Sequence, residues 1–237
     1  MLRKILLACG IVSSVQYVVT DILASRRFPG YRYTEYSISE EIAIKAPTRR
    51  FWVAMSIPYN LLVAAFGAGV WATAGRKQRA GRITGAALVG YAAGSMAGGL
   101  LFPLLTPRGM PWPGPEATRS ARRHTLATAV INVFFVLYMG FGATLLGKRF
   151  RYYSYGTIAT VVVFGALTGL YVPRLAANRP TPGMGIMERI AVYSSMLWNA
   201  VLSIGLLRGQ GRGSSRLPWK AALTPERVQR TLQQVLR

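Results

Sequence analysis

Apolar residues in this chain come in long unbroken runs, at about 5–24, 51–74, 83–105, 125–146, 154–173 and 187–207, separated by shorter polar and basic stretches. Each run has the length of a helix that crosses the ~30 Å hydrocarbon core of a bilayer, about 17–25 residues. The runs do not alternate polar with apolar positions, as barrel strands do, so the backbone groups must be satisfied within helices. The pattern predicts an all-α, polytopic integral membrane bundle of six transmembrane helices over residues 1–207. A basic tail over 208–237 follows.

Six crossings put both ends of the chain on the same side. Short loops dense in Lys and Arg stay in the cytoplasm. The 75–82 loop, GRKQRAGR, has four basic residues and no acid, and the 147–153 loop, GKRFRYY, has three and no acid. Both termini are therefore expected in the cytoplasm, and the membrane is expected to be a plasma membrane. The acids gather on the other side: Asp21, Glu35, Glu40, Glu41, Glu116 and Glu188, with only Glu226 cytoplasmic.

Composition agrees with this class. The chain is 51% hydrophobic and 15% charged, against about 25% charged in soluble domains. The net charge of +22 would suggest nucleic acid in a soluble protein. Here the basic residues flank apolar runs, where they meet anionic headgroups at the cytoplasmic face, so no nucleic acid is expected. A single cysteine, Cys9, excludes an internal disulfide. The Leu6–Cys9 stretch resembles a lipoprotein cleavage box, but the apolar segment before it is too short for a signal peptide and continues to Ala24.

Residues 37–50, SISEEIAIKAPTRR, hold two adjacent acids. Ser37 and Glu40 have the spacing of a capping box. With Ile38, Ile42 and Ile44 apolar and Pro47 at the end, this suggests a short helix on or dipping into the outer surface, the alternative being a surface loop with solvated acids. In the third span, Gly90, Gly94 and Gly98 form a double small-xxx-small pattern, which lets helix backbones approach closely. That stripe serves packing within the bundle or a homodimer face.

Polar residues recur every four positions within four spans: Ser13, Tyr17 and Asp21; Ser56 and Asn60; His124, Thr128 and Asn132; Ser195, Asn199 and Ser203. Residues at i and i+4 share a helix face. Asp21, Glu40, His124 and Glu188 all fall near the outer boundary. This suggests an outward polar pocket with these four at its rim, with Arg189 and the basic pair Arg122 and Arg123 beside them, and Tyr17, Asn132 and Asn199 deeper. The 37–50 segment would form its lid. The competing explanation is structural: interfacial ion pairs and interhelical hydrogen bonds with no ligand.

One histidine excludes bis-histidine haem ligation. No Cys/His cluster has zinc-site spacing, and no Gly-rich loop leads into GK[ST]. No cofactor or metal is expected. Three function classes remain: binding or moving a lipid or small molecule, His–carboxylate acid–base chemistry on a lipid-like substrate, and an accessory subunit with a membrane protein partner. The Pro/Gly-rich 107–115 loop places Trp112 at interface depth, and Thr224–Pro225 begins an amphipathic helix in the tail.

Several segments together resemble the prokaryotic multi-pass membrane family known as domain of unknown function 998. They are CGIVSSVQYVVTDILA from Cys9, FPGYRYTEYSISE from Phe28, AIKAPTR from Ala43, and GIMERIAVYSSMLWNAVLSIGLLR from Gly185. The resemblance spans about residues 5–208. It implies six helices and carries no assigned activity.

Overall fold

The computed structural model describes residues 1–75, 78–104, 106–107, 115–177 and 179–214, with backbone alone for 115–118, 176 and 210–214. The expected tail helix and Trp112 lie outside these residues. Eight helices occur among the described residues: α1 (Leu2–Arg27), α2 (Ile38–Glu41), α3 (Arg49–Thr73), α4 (Arg79–Leu101), α5 (Pro115–Gly142), α6 (Lys148–Leu170), α7 (Val172–Ala176) and α8 (Met184–Ser214). Among the described residues six segments are long and apolar enough to cross a membrane, formed by α1, α3, α4, α5, α6 continuing into α7, and α8. The long helices all begin before the apolar runs, because flanking basic residues extend the helix into the headgroup zone, while α3, α4, α5 and α6 end one to four residues short of them.

The long helices form a ring in chain order. α1 packs on α3, α3 on α4, α4 on α5 and α6 on α8, and α8 closes back onto α1; the α5–α6 seam is the thinnest. α2, the starts of α5 and α8, and α7 share one end of the bundle, called the cap end below. Met1 and the far part of α8 lie at the other.

Close approach is built from glycine where α3 meets α4. A Cβ at Gly67 would sit 2.7 Å from the Gly85 carbonyl oxygen, and one at Gly85 would sit 2.6 Å from that of Gly67. The Gly90–Gly94–Gly98 stripe faces α5: a Cβ at Gly90 would meet the Phe134 ring at 2.6 Å, and one at Gly98 would meet Ile131 at 3.0 Å. Glycine there makes room for bulky neighbours.

The centre of the ring is aromatic. Tyr91 and Phe135 stack at 4.7 Å, and Tyr138 and Phe150 flank Trp198 at 5.5 and 5.6 Å. Hydroxyls tie the helices across this core. Trp198 donates to Ser154 (2.8 Å), Ser14 donates to the Met196 carbonyl (2.8 Å), and Ser203 donates to the Leu7 carbonyl (2.6 Å). Such bonds replace water that the bilayer cannot supply.

Candidate functional site

The cap end is a folded structure in which residues 28–48 are pinned to the helix ends. α2 starts with the Ser37–Glu40 capping box. The Glu40 carboxylate accepts the Ser37 N–H at 2.8 Å and the Ser37 hydroxyl at 3.1 Å. From α8, the Glu188 carboxylate accepts the Ile38 N–H at 2.6 Å. The loop backbone rests on α8 so closely that a Cβ at Gly185 would lie 2.5 Å from the carbonyl oxygens of both Tyr33 and Tyr36.

One buried guanidinium organises the cap. Arg189 makes a bidentate pair with Asp21, Nε and Nη2 each 2.9 Å from a carboxylate oxygen. Nη1 donates to the carbonyls of Tyr33 (2.9 Å), Tyr36 (3.0 Å) and Gly185 (3.2 Å). Nη2 also donates to the Tyr31 hydroxyl at 2.8 Å, and the guanidinium lies 3.7 Å from the centre of the Tyr33 ring. The hydroxyls of Tyr33 and Tyr193 donate to Asp21 as well. The planar fork of arginine suits this task, since it serves several acceptors in fixed directions.

Glu41 completes the cluster. Its carboxylate accepts the Trp52 indole N–H at 2.6 Å, and Arg189 Nη2 is 3.4 Å away. Burial pushes this carboxyl up to about 8, helped by the negative charge of Asp21. The nearby Arg189 does not reverse that shift, because the contact is long and Asp21 already neutralises the guanidinium. Burial likewise raises the phenols of Tyr31 and Tyr33, so both remain protonated donors.

A separate cavity of about 240 Å³ lies beside the cap, between α5, α6–α7 and α8. Its cap-side wall includes Ser37, Ser39, His124 and Glu188, and its deeper wall includes Asn132 and Gly165. Thr125, Thr128, Asn132 and Gly169 are exposed lining residues, so the cavity opens through the thin α5–α6 seam. His124 is fixed at both ring nitrogens. Nδ1 is 2.8 Å from the Phe102 carbonyl oxygen, and Nε2 is 3.0 Å from the Ser39 hydroxyl. The 102–104 strip is itself held in place. The Pro103 carbonyl accepts from Ser120 at 2.9 Å and the Leu104 carbonyl from the Ile44 N–H at 2.8 Å.

The structure therefore divides the residues expected at one pocket. His124, Glu188 and Asn132 line the cavity. Asp21 and Arg189 form the buried pair behind it, and Glu40 is the α2 cap. Tyr17 lines a smaller cavity of about 120 Å³ between α1, α3 and α4. Asn199 lies in the core, its amide without a hydrogen-bond partner among the described residues. Among those residues no group of three His, Cys, Asp or Glu side chains could hold a metal ion. Sequence reasoning missed Glu41, Ser39, Gly185 and the tyrosines. The available signal was the tyrosine-rich YRYTEY stretch, whose hydroxyls need polar partners when buried.

No curated protein and no solved structure matches the chain significantly. The family model described as "Protein of unknown function (DUF998)" matches residues 11–205, from the middle of α1 into the second half of α8 and across both the cap and the cavity. The chain belongs to the DUF998 family.

Proposed function

We propose that this six-helix membrane protein binds a lipid-like amphiphile in the α5–α6 cavity. The polar part of the ligand meets Ser39, His124 and Glu188, and its apolar part lies between the two helices. The observation carrying this reading is a cavity that opens through the α5–α6 seam and is lined by groups of both kinds. Ser39, His124 and Glu188 stand on its cap side, and Ala129 and Gly165 lie with Thr128 and Asn132 farther along α5 and α6. At about 240 Å³ the cavity exceeds the ~150 Å³ that takes a benzene. It falls below the ~300 Å³ where drug-sized sites begin. A headgroup linkage and the first part of one chain fit, with the remainder extending out through the seam. The basic loops at the opposite end favour cytoplasmic termini, with those loops against anionic headgroups, and the family resemblance favours a prokaryotic plasma membrane.

Gly165 provides the test. A Cβ there meets nothing within 4 Å, so Gly165→Leu fills the cavity with little disturbance to the helices. Protein extracted into nanodiscs with its native lipid is analysed by mass spectrometry for retained amphiphile. Retention in wild type and at least a tenfold loss in Gly165→Leu is the expected result. Equal retention in both overturns the assignment.

A further inference from the structure

The wall of the cavity contains a hydroxyl whose proton is held by a base. The Phe102 carbonyl oxygen can only accept, so the His124 Nδ1 facing it at 2.8 Å carries a hydrogen. In the neutral ring Nε2 is then a lone pair. It faces Ser39 Oγ at 3.0 Å, so the serine hydroxyl donates to it. This is the nucleophile–base–orienter order of acyl-transfer sites, with a backbone carbonyl as the orienting group. Both partners are held from outside the pair. Ser39 sits in α2 between Ile38, whose N–H binds Glu188, and Glu40, whose carboxylate caps Ser37. His124 sits on α5, against a strip pinned by Ser120 and Ile44.

We propose that Ser39 and His124 form a catalytic dyad that cleaves a neutral acyl ester bound in this cavity. The proposal rests on the reading of the cavity as an amphiphile site. The substrate class follows from the lining. Among the described residues it contains Glu188 and no Lys or Arg, so a phosphate has no counter-charge there, whereas an uncharged ester linkage needs none. In the first step Ser39 Oγ bonds to the acyl carbon and its proton passes to His124 Nε2. The carbon–alkoxy bond then breaks, and Nε2 returns the proton to the leaving alcohol. In the second step a water gives its proton to Nε2 and attacks the acyl-serine ester. The acid leaves, and Ser39 recovers its proton. One ester and one water give one acid and one alcohol.

The test uses the full chain in nanodiscs and an alkyl fluorophosphonate. Ser39 Oγ displaces fluoride, its proton again going to Nε2, and the stable adduct is located by peptide mass. Labelling of wild type at Ser39 is expected, with no adduct at that position in Ser39→Ala. His124→Asn keeps an N–H donor for the Phe102 carbonyl but has no base at the Nε2 position, and His124→Gln reaches that position with an amide that is no base. Whichever folds should label about 100-fold more slowly or worse, in line with the contribution of a general base. Folded wild type that leaves Ser39 unlabelled overturns the dyad, as does a labelling rate unchanged in a folded His124 variant. Amphiphile retained intact beside an unlabelled Ser39 would sink the dyad and leave the binding assignment standing. A labelled Ser39 with retention unchanged in Gly165→Leu would do the reverse.

Discussion

Replacing Arg189 by methionine would keep much of its bulk but leave Asp21 charged and buried, with its remaining partners the phenols of Tyr33 and Tyr193. Removing one member of a buried pair costs about 3–5 kcal/mol. Arg189→Met should therefore melt well below wild type in detergent. Arg189→Lys should also lose stability, since an ammonium cannot span both Asp21 oxygens and the carbonyls of Tyr33 and Tyr36. Glu41 gives a pH signature. Its carboxyl is raised from 4.5 to about 8, so the fold holds this proton more tightly than the unfolded chain does. That contribution is complete below about 4.5 and is lost as pH rises through about 8. Melting temperature should fall more steeply between about pH 5 and 8 in wild type than in Glu41→Gln, and parallel curves would contradict the shift. At this scale the chemistry was only partly legible. The spacing of Ser37 and Glu40 announced a cap, because that motif is local. Nothing local showed that Glu41 would meet Trp52 and Arg189, because those partners come from α3 and α8.

Among elements, the decisive contacts are backbone approaches that no side chain could tolerate. Gly85→Leu would drive a Cβ to within 2.6 Å of the Gly67 carbonyl. It should separate α3 from α4 and cost at least the ~1–3 kcal/mol of an overpacked core. Gly94→Ala, whose Cβ would meet Ile131 at an ordinary 3.8 Å, should melt like wild type, and the two variants can be compared in one thermal scan. Gly185→Ala tests the cap, since it would push Tyr33 and Tyr36 away from α8. The loss should appear as faster proteolysis within residues 28–48. The six long helices were legible because apolar run length maps directly onto membrane thickness. The polar stripes of α1, α3 and α8 were legible as inward faces, Ser203 reaching Leu7 being one instance, whereas Thr128 and Asn132 on α5 are exposed at the seam. Their convergence was not. Asp21 and His124 each end a stripe at the same depth, yet one meets Arg189 and the other Ser39, a difference set by helix rotation rather than by spacing.

For the whole molecule, the first question is which end faces which compartment. On a Cys9→Ser background, Arg32→Cys places a thiol on the exposed surface of the cap end, and Gln78→Cys places one on the exposed surface of the opposite end. A membrane-impermeant maleimide should label position 32 on intact cells and position 78 only after permeabilisation. The reverse pattern would invert the proposed orientation. The gap between α5 and α6 matters irrespective of that outcome. Asn132 lies eight residues beyond His124 along α5, roughly 12 Å deeper at the rise of an α-helix. A molecule arriving by that side door diffuses in two dimensions from the surrounding leaflet and never needs to dissolve in water. Occupancy would then track mole fraction in the bilayer, and dilution of the aqueous phase at constant lipid composition should leave the site as full as before.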